Sequence, residues 1–302
     1  MQMDRRSFLA SAAGVAATSV LAGCGGSGSS TAASSGSAAG SSATTSSADY
    51  TLVEDGKLTL ISNFTFPPFV FADEETSDPS GYKGFDVDVA KAIAEKLGLE
   101  LNVLPTVQFD TIVPTIKQGG KADISLGGIT ITDERKKEVD FSSPYIDSNQ
   151  SIVFKSDCAD PTVAGVNAAD KKIAVQSGTT GESWAQENIP EATIVPLDDI
   201  IQAMTGVQTG AYDACVADLP VTEYMISTSY TDLMVPDGAY STSNPTGGQI
   251  PTGEQYGAII SKDNPGLTEA VDKALHELWE EGKMDDIQTT WFGEVICSEP
   301  QA

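Results

Sequence analysis

The sequence predicts an α/β protein of two similar lobes. Strand-like runs alternate with amphipathic helical stretches from Leu58 onward, which argues for parallel sheets covered by helices. A short internal echo joins residues 112–123 to 201–213: Gln118, Gly120 and Asp123 align with Gln208, Gly210 and Asp213. Each copy reads as an amphipathic helix, a glycine, then a strand entered through Asp. Two extended runs, 151–155 and 256–261, are placed to carry the chain out to a second lobe and back.

The chain has 302 residues, 40% hydrophobic, enough for two lobes with cores of their own. Seventeen basic and 43 acidic residues give a net charge of −26, which repels nucleic acid and anionic membrane. No metal or cofactor is expected. No cysteine or histidine spacing fits a metal, and the phosphate-binding GxxxxGKS loop, HExxH, the GxSxG elbow and the dinucleotide fingerprint are missing from the sequence. The single histidine, His276, falls within a helical pattern and reads as a surface residue, against Ser/His or Cys/His catalysis. Of the four cysteines, Cys158 and Cys297 are a possible pair.

Residues 1–23 read as a signal peptide. Arg5 and Arg6 form its basic region, and the apolar stretch 8–22 is too short to span a membrane. Asp4-Arg5-Arg6-Ser7-Phe8-Leu9 looks like a twin-arginine export signal, and Leu21-Ala22-Gly23-Cys24 like a lipobox that would expose Cys24 for lipidation. After Cys24, residues 25–48 are Ser, Gly, Ala and Thr only, so the segment 24–49 is a lipidated cysteine on a flexible tether, with a reach of ~25–30 Å.

The folded body starts near Tyr50. A strand over 58–62 leads into the stiff aromatic loop 63–69. The helix over 84–97 takes Asp86 as N-cap and Gly98 as its C-terminal stop, with Ala90, Ile93 and Leu97 on one face. A strand over 99–104 and a helix over 110–117 follow. The stretch 119–145 then organises the first lobe: a buried strand over 122–126, the turn Gly127-Gly128, and a helix capped by Thr132 with Asp133 and Glu134 in its first turn. Arg135 is a cation where the helix dipole favours anions. With Thr130 and free backbone N–H groups it makes a small anion site; alternatively it pairs with Asp133 or Asp140 on a solvated face. In the second lobe, strands over 172–176, 193–196 and 213–217 alternate with helices from Gly181, over 198–208 and from Asp218-Leu219-Pro220. Residues 238–253 read as loop, and the last helices carry Leu267, Val271, Ala274, Leu275 and Leu278, then end near Trp291-Phe292-Gly293.

Several motifs together resemble the extracellular solute-binding proteins of ABC importers, in the polar amino-acid family (family 3). They are Phe66-Pro67-Pro68-Phe69, Gly84-Phe85-Asp86-Val87-Asp88, Phe109-Asp110-Thr111-Ile112-Val113-Pro114, Thr130-Ile131-Thr132-Asp133-Glu134-Arg135, Phe141-Ser142-Ser143-Pro144-Tyr145, Gly178-Thr179-Thr180 and Trp291-Phe292-Gly293. The resemblance spans about 51–294. It implies a two-lobe periplasmic-binding-protein-like fold of type II, with lobe 1 over 50–150 and 258–302, lobe 2 over 151–257, a two-strand hinge and a ligand cleft between them. It implies a monomeric lipoprotein on the outer face of the cell membrane, touching the membrane only through its anchor. That protein captures a free amino acid for a permease and its ATPase subunit.

Carried over by position, Arg135 would bind the α-carboxylate with Thr130 and the backbone at Gly128. Asp218 would bind the α-ammonium, and Thr179 and Thr180 would add contacts from lobe 2. Phe66 and Phe109 would sandwich the side chain. Asn63 stands where relatives that take basic ligands carry Asp, which points to a neutral or polar ligand. Two alternatives share the family's fold: a periplasmic dehydratase of the cyclohexadienyl or arogenate type, and a sensory subunit that reports to a receptor.

Overall fold

The computed structural model describes residues 50–73 and 80–300. The expected signal peptide, Cys24 and tether lie outside the described residues. In chain order the body forms β1 (Lys57–Leu60), a small meander of β2 (Thr65–Phe66), β3 (Val70–Ala72) and β4 (Tyr82–Lys83), then α1 (Phe85–Leu97) and β5 (Glu100–Val103). A 3-10 turn at Phe109–Thr111 runs into α2 (Ile112–Gln118), followed by β6 (Ile124–Ser125), α3 (Asp133–Glu138) and β7 (Asp140–Phe141). The ten-residue β8 (Ile146–Lys155) leads to α4 (Val163–Val166), β9 (Lys172–Gln176), α5 (Thr180–Asn188), β10 (Thr193–Leu197), α6 (Ile200–Thr209), β11 (Ala214–Asp218), α7 (Leu219–Thr228) and β12 (Leu233–Met234). Then β13 (Gln249–Tyr256), β14 (Ile259–Ile260), α8 (Pro265–Glu280) and α9 (Lys283–Phe292) complete the chain.

Two sheets divide these strands. The first runs β5-β1-β6-β14-β7, with β1 parallel to β5 and β6 and with β14 antiparallel to both neighbours. The second runs β10-β9-β11-β8-β12, with β13 also pairing β8. Its strands β10, β9 and β11 are parallel while β8 runs antiparallel to β11, and β9 and β11 carry almost unbroken buried runs, as strands covered by helices on both faces must. The chain crosses between the sheets twice, along β8 and along β13. These two strands pair antiparallel over Tyr256↔Ile146, Glu254↔Ser148 and Ile250↔Gln150, with a register shift between Ile250 and Glu254.

The first crossing thus starts five residues before the predicted run at Ser151. The return strand occupies 249–256, most of which reads from the sequence as loop. On this bulged edge Pro251, Thr252 and Gly253 are exposed and Glu254 is half-buried, so the strand lacks the apolar alternation that marks a half-buried strand.

Helix α1 shows why local sequence suffices in places. Phe85, Val87, Val89, Ala90, Ile93 and Ala94 are buried, each large one contributing roughly 1.5–3 kcal/mol. Gly98 turns left-handed, and the amides of Gly98 and Leu99 return to the carbonyls of Glu95 and Ala94. The N-cap is Gly84, not Asp86: Asp86 is one residue into the helix, fully buried, and serves another purpose. Gly84 has φ of 141°, and a Cβ there would lie 2.0 Å from the Phe69 carbonyl oxygen.

Cys158, Cys215 and Cys297 are all free thiols, so the possible Cys158–Cys297 pair is not made. Cys158 packs beside the core of the second sheet, and Cys297 lies in the C-terminal segment against Gln288.

Unfolding the unreduced body should expose three titratable thiols; finding one would mean that a disulfide forms after all. Gly84→Ala should cost at least ~3 kcal/mol in urea unfolding, because its Cβ meets backbone that cannot step aside.

Candidate functional site

The facing edges of the two lobes are in contact, and the expected site residues lie along that seam. Arg135 is the third residue of α3, whose N-cap Thr132 accepts the Arg135 amide at 3.2 Å. Its guanidinium turns away from Asp133 and Asp140. One terminal nitrogen donates to the Thr130 carbonyl at 2.8 Å, in its own lobe, and the other to the Gly178 carbonyl at 3.0 Å, in the opposite lobe. The Phe109 ring lies 5.3 Å from it, a cation–π contact. Burial holds this guanidinium below its ordinary pKa, and the negative charges of Asp218 and Glu254 act in the opposite direction.

Asp218 ends β11 and is almost fully buried. Although it occupies the N-cap position of α7, its side chain makes no capping bond. Its carboxylate accepts from the Tyr256 hydroxyl at 2.8 Å and from the Gln150 amide at 3.0 Å. Burial, and next the nearby Glu254 charge, push its pKa up to about 7. The Tyr256 hydroxyl in turn accepts from Ser148 at 2.9 Å, so the carboxylate is anchored to both crossing strands.

Asn63 is buried and faces an amide. Its nitrogen donates to the Val107 carbonyl at 2.7 Å, while its oxygen accepts from Thr65 at 2.5 Å and, across the lobes, from Gln176 at 3.1 Å. Thr130 is buried, with its hydroxyl 3.5 Å from that of Thr180 across the seam. Phe66 is buried and packs on Gly128, where an added Cβ would come within 2.5 Å of its ring.

Two expected ligand contacts are already committed elsewhere. The Gly128 amide does not point free: it donates to the Asp86 carboxylate at 2.8 Å. The Thr179 hydroxyl gives its only proton to the Gln176 carbonyl at 2.8 Å and accepts the Glu182 amide at 3.1 Å, as the N-cap of α5. Thr179 therefore fixes the helix that presents Thr180.

The structure adds residues that the sequence reading gave no part in the site. Asp86, from α1, also accepts from the Tyr145 hydroxyl at 2.9 Å. It pins the Gly127-Gly128 turn from below, and its second oxygen has no partner. Burial raises its pKa to about 7. Gln150 on β8 and Glu254 and Tyr256 on β13 surround Asp218. They were missed because the first crossing strand begins earlier than the sequence indicates and the second reads as loop. Glu254 two residues before an expected strand gave no signal of its own. His276 is exposed on α8 beside Glu280 and Glu299, as a surface residue.

Residues 58–294 match the bacterial extracellular solute-binding proteins, family 3. The chain belongs to this family. Among characterised relatives, it is 27% identical to the L-cystine-binding protein TcyJ of Escherichia coli K12 over 240 residues, covering 80% of this chain and 84% of that protein. It is 29% identical to the ABC transporter glutamine-binding protein GlnH of Bacillus subtilis 168 over 214 residues, covering 70% and 73%. Among solved structures, an ancestral arginine-binding protein bound to glutamine superposes with a TM-score of 0.69 at 34% identity, over 80% of this chain and all of that one. The ancestral amino-acid-binding protein AncCDT-1, a precursor of cyclohexadienyl dehydratase, does so at 0.68 and 35%, over 78% and 96%. These neighbours fix the fold as the two-lobe α/β architecture. No helix among the described residues is long and apolar enough to cross a membrane.

Asp86 and Asp218 both have pKa values raised by burial, from about 3.8 unfolded to about 7 folded. The folded state then binds more protons than the unfolded chain between those values, so stability falls as pH rises from 4 to 7. Asp86→Asn should flatten its share of that slope, up to ~1.4 kcal/mol per pH unit, in urea titrations at pH 5 and 7. An unchanged slope would show that Asp86 stays ionised.

Proposed function

We propose that this protein is the substrate-binding subunit of an ABC importer. It captures a free amino acid, polar or neutral, outside the membrane and hands it to a permease and its ATPase subunit. The observation that carries this is the opposed charge pair across the seam: Arg135 on α3 of the first lobe, Asp218 at the end of β11 in the second. A zwitterion needs a fixed cation for one end and a fixed anion for the other. Both must be held in a partly dehydrated place where they outcompete water. Relatives named for binding cystine, glutamine and arginine support an amino-acid ligand, and they support a binding role over an enzymatic one.

In this reading Arg135 takes the α-carboxylate with Thr130 and Thr180, and Asp218 takes the ammonium. The Asn63–Gln176 end receives the side chain. Two neutral carboxamides there suit a ligand that donates and accepts hydrogen bonds without a charge of its own. Phe66 and Phe109 supply apolar walls. Lobe 1 comprises 50–150 and 258–302, lobe 2 comprises 151–257, and β8 and β13 form the hinge. Because the ligand's two ends are gripped by different lobes, binding favours the closed form. Holding a mostly open protein mostly closed takes ~5 kcal/mol of differential affinity, within reach of two charge-assisted contacts plus buried apolar surface. Lipidation at Cys24 and the tether 24–49 would keep the monomeric body at the outer face of the membrane.

A thermal-shift screen of residues 49–302 against the twenty amino acids, cystine and ornithine should give one clear stabilising ligand. Calorimetry should then find that Arg135→Ala weakens that ligand at least ~100-fold, about 3 kcal/mol, with the fold intact. Unchanged affinity would refute the carboxylate role, and a panel with no hit would refute the amino-acid reading.

A further inference from the structure

We propose that Glu254 is a second anionic partner for the ligand's ammonium beside Asp218, the two carboxylates being bridged by the Gln150 amide nitrogen. This rests on the amino-acid reading of the seam and assigns a residue that reading does not use.

The argument starts from a mismatch at Gln150. Its amide nitrogen faces three acceptors: Glu254 Oε2 at 2.8 Å, Asp218 Oδ1 at 3.0 Å and Thr180 Oγ1 at 3.1 Å. A carboxamide nitrogen has two hydrogens, so one acceptor goes unserved. At the other end of the same amide, Oε1 is buried and has no partner. That oxygen points towards Gly181, into a space it shares with the Val216 carbonyl oxygen. A Cβ on Gly181 would lie 2.8 Å from the first and 3.1 Å from the second. Two acceptors therefore face one space while three acceptors crowd one donor, all at a side chain with no exposed surface.

The two carboxylate oxygens and the Thr180 hydroxyl share that one nitrogen, and an arriving R–NH3+, with three protons, serves the acceptor that the amide cannot. Charge favours the same occupant. The charged and titratable groups facing Asp218 are Arg135 from α3 and Glu254 and Tyr256 from β13. With both acids ionised, one negative charge more than Arg135 balances is left at this place, and an ammonium neutralises it. Burial and Glu254 together raise the Asp218 pKa, so an arriving ammonium must expel a proton near neutral pH. Gln150 and Glu254 sit on the two crossing strands, so the same contact ties ligand occupancy to both of them.

Titration calorimetry with L-glutamine, L-arginine and L-cystine as probes tests this, at pH 6, 7 and 8 and in two buffers of different ionisation heat. Wild type should bind more tightly as pH rises from 6 to 8 and release protons at pH 6–7. Glu254→Gln should keep its melting temperature, bind at least ~10-fold more weakly at pH 8 and release fewer protons at pH 7, because the charge that adds to burial in raising the Asp218 pKa is then gone. Glu254→Asp, which keeps the charge, should restore the proton release. If Glu254→Gln matches wild type in affinity and proton release while Asp218→Asn binds poorly, the Glu254 role is overturned and the amino-acid reading stands. If wild type binds no amino acid of the wider panel, both fall.

Discussion

One guanidinium bridges the facing edges of the two lobes. Arg135 is the only arginine after Arg6 in a chain of net charge −26. It is held by a carbonyl from each lobe, with an aromatic ring beside it. A lysine could not reproduce this, because a single ammonium cannot aim two separated donors along a rigid plane. The guanidinium keeps donors beyond those two bonds, so it can bolt the lobes and still meet an anion. Around it the charges are graded. Asp218 and Glu254 lie near enough to act on it electrostatically.

Everything that presents this group is itself fixed by buried polar contacts. Asp86 reaches from α1 to the Gly127-Gly128 turn and to Tyr145, so the loop that carries Thr130 is tied to the helix beneath it. A lost amide bond at Gly128 would free that turn, and Thr130 with its carbonyl would follow. On the far side, Thr179 caps α5 and so sets where Thr180 and the Gly178 carbonyl sit. Burying two carboxylates is costly, and both have pKa values pushed towards neutrality as a result. Carboxylates kept in such places mark sites where specific geometry outweighs stability.

The crossing strands add a mechanical element. β8 and β13 pair with each other, and residues from both meet Asp218 through Gln150, Tyr256 and Ser148. The Asp218 carboxylate is thus tied by hydrogen bonds to both segments along which the chain crosses between the sheets.

The local code was legible where one element satisfies itself. The α1 face with its Gly98 stop, the strands β9 and β11, the cap Thr132 and the two-lobe class follow from periodicity, glycine and short polar side chains acting within a few residues. Arg135 was legible too, as a cation where the local helix does not need one, and Asp218 only through the family resemblance. The tertiary structure alone decided where shared donors go. Whether the Gly128 amide is free depends on a carboxylate 42 residues away, and the surroundings of Asp218 depend on Gln150 and Glu254, 68 residues before it and 36 after. Those contacts join segments whose own sequence carries no periodic signal. A bulged strand of Pro, Thr, Gly and Glu becomes a crossing only when a partner strand supplies its hydrogen bonds, and no local pattern records that partner.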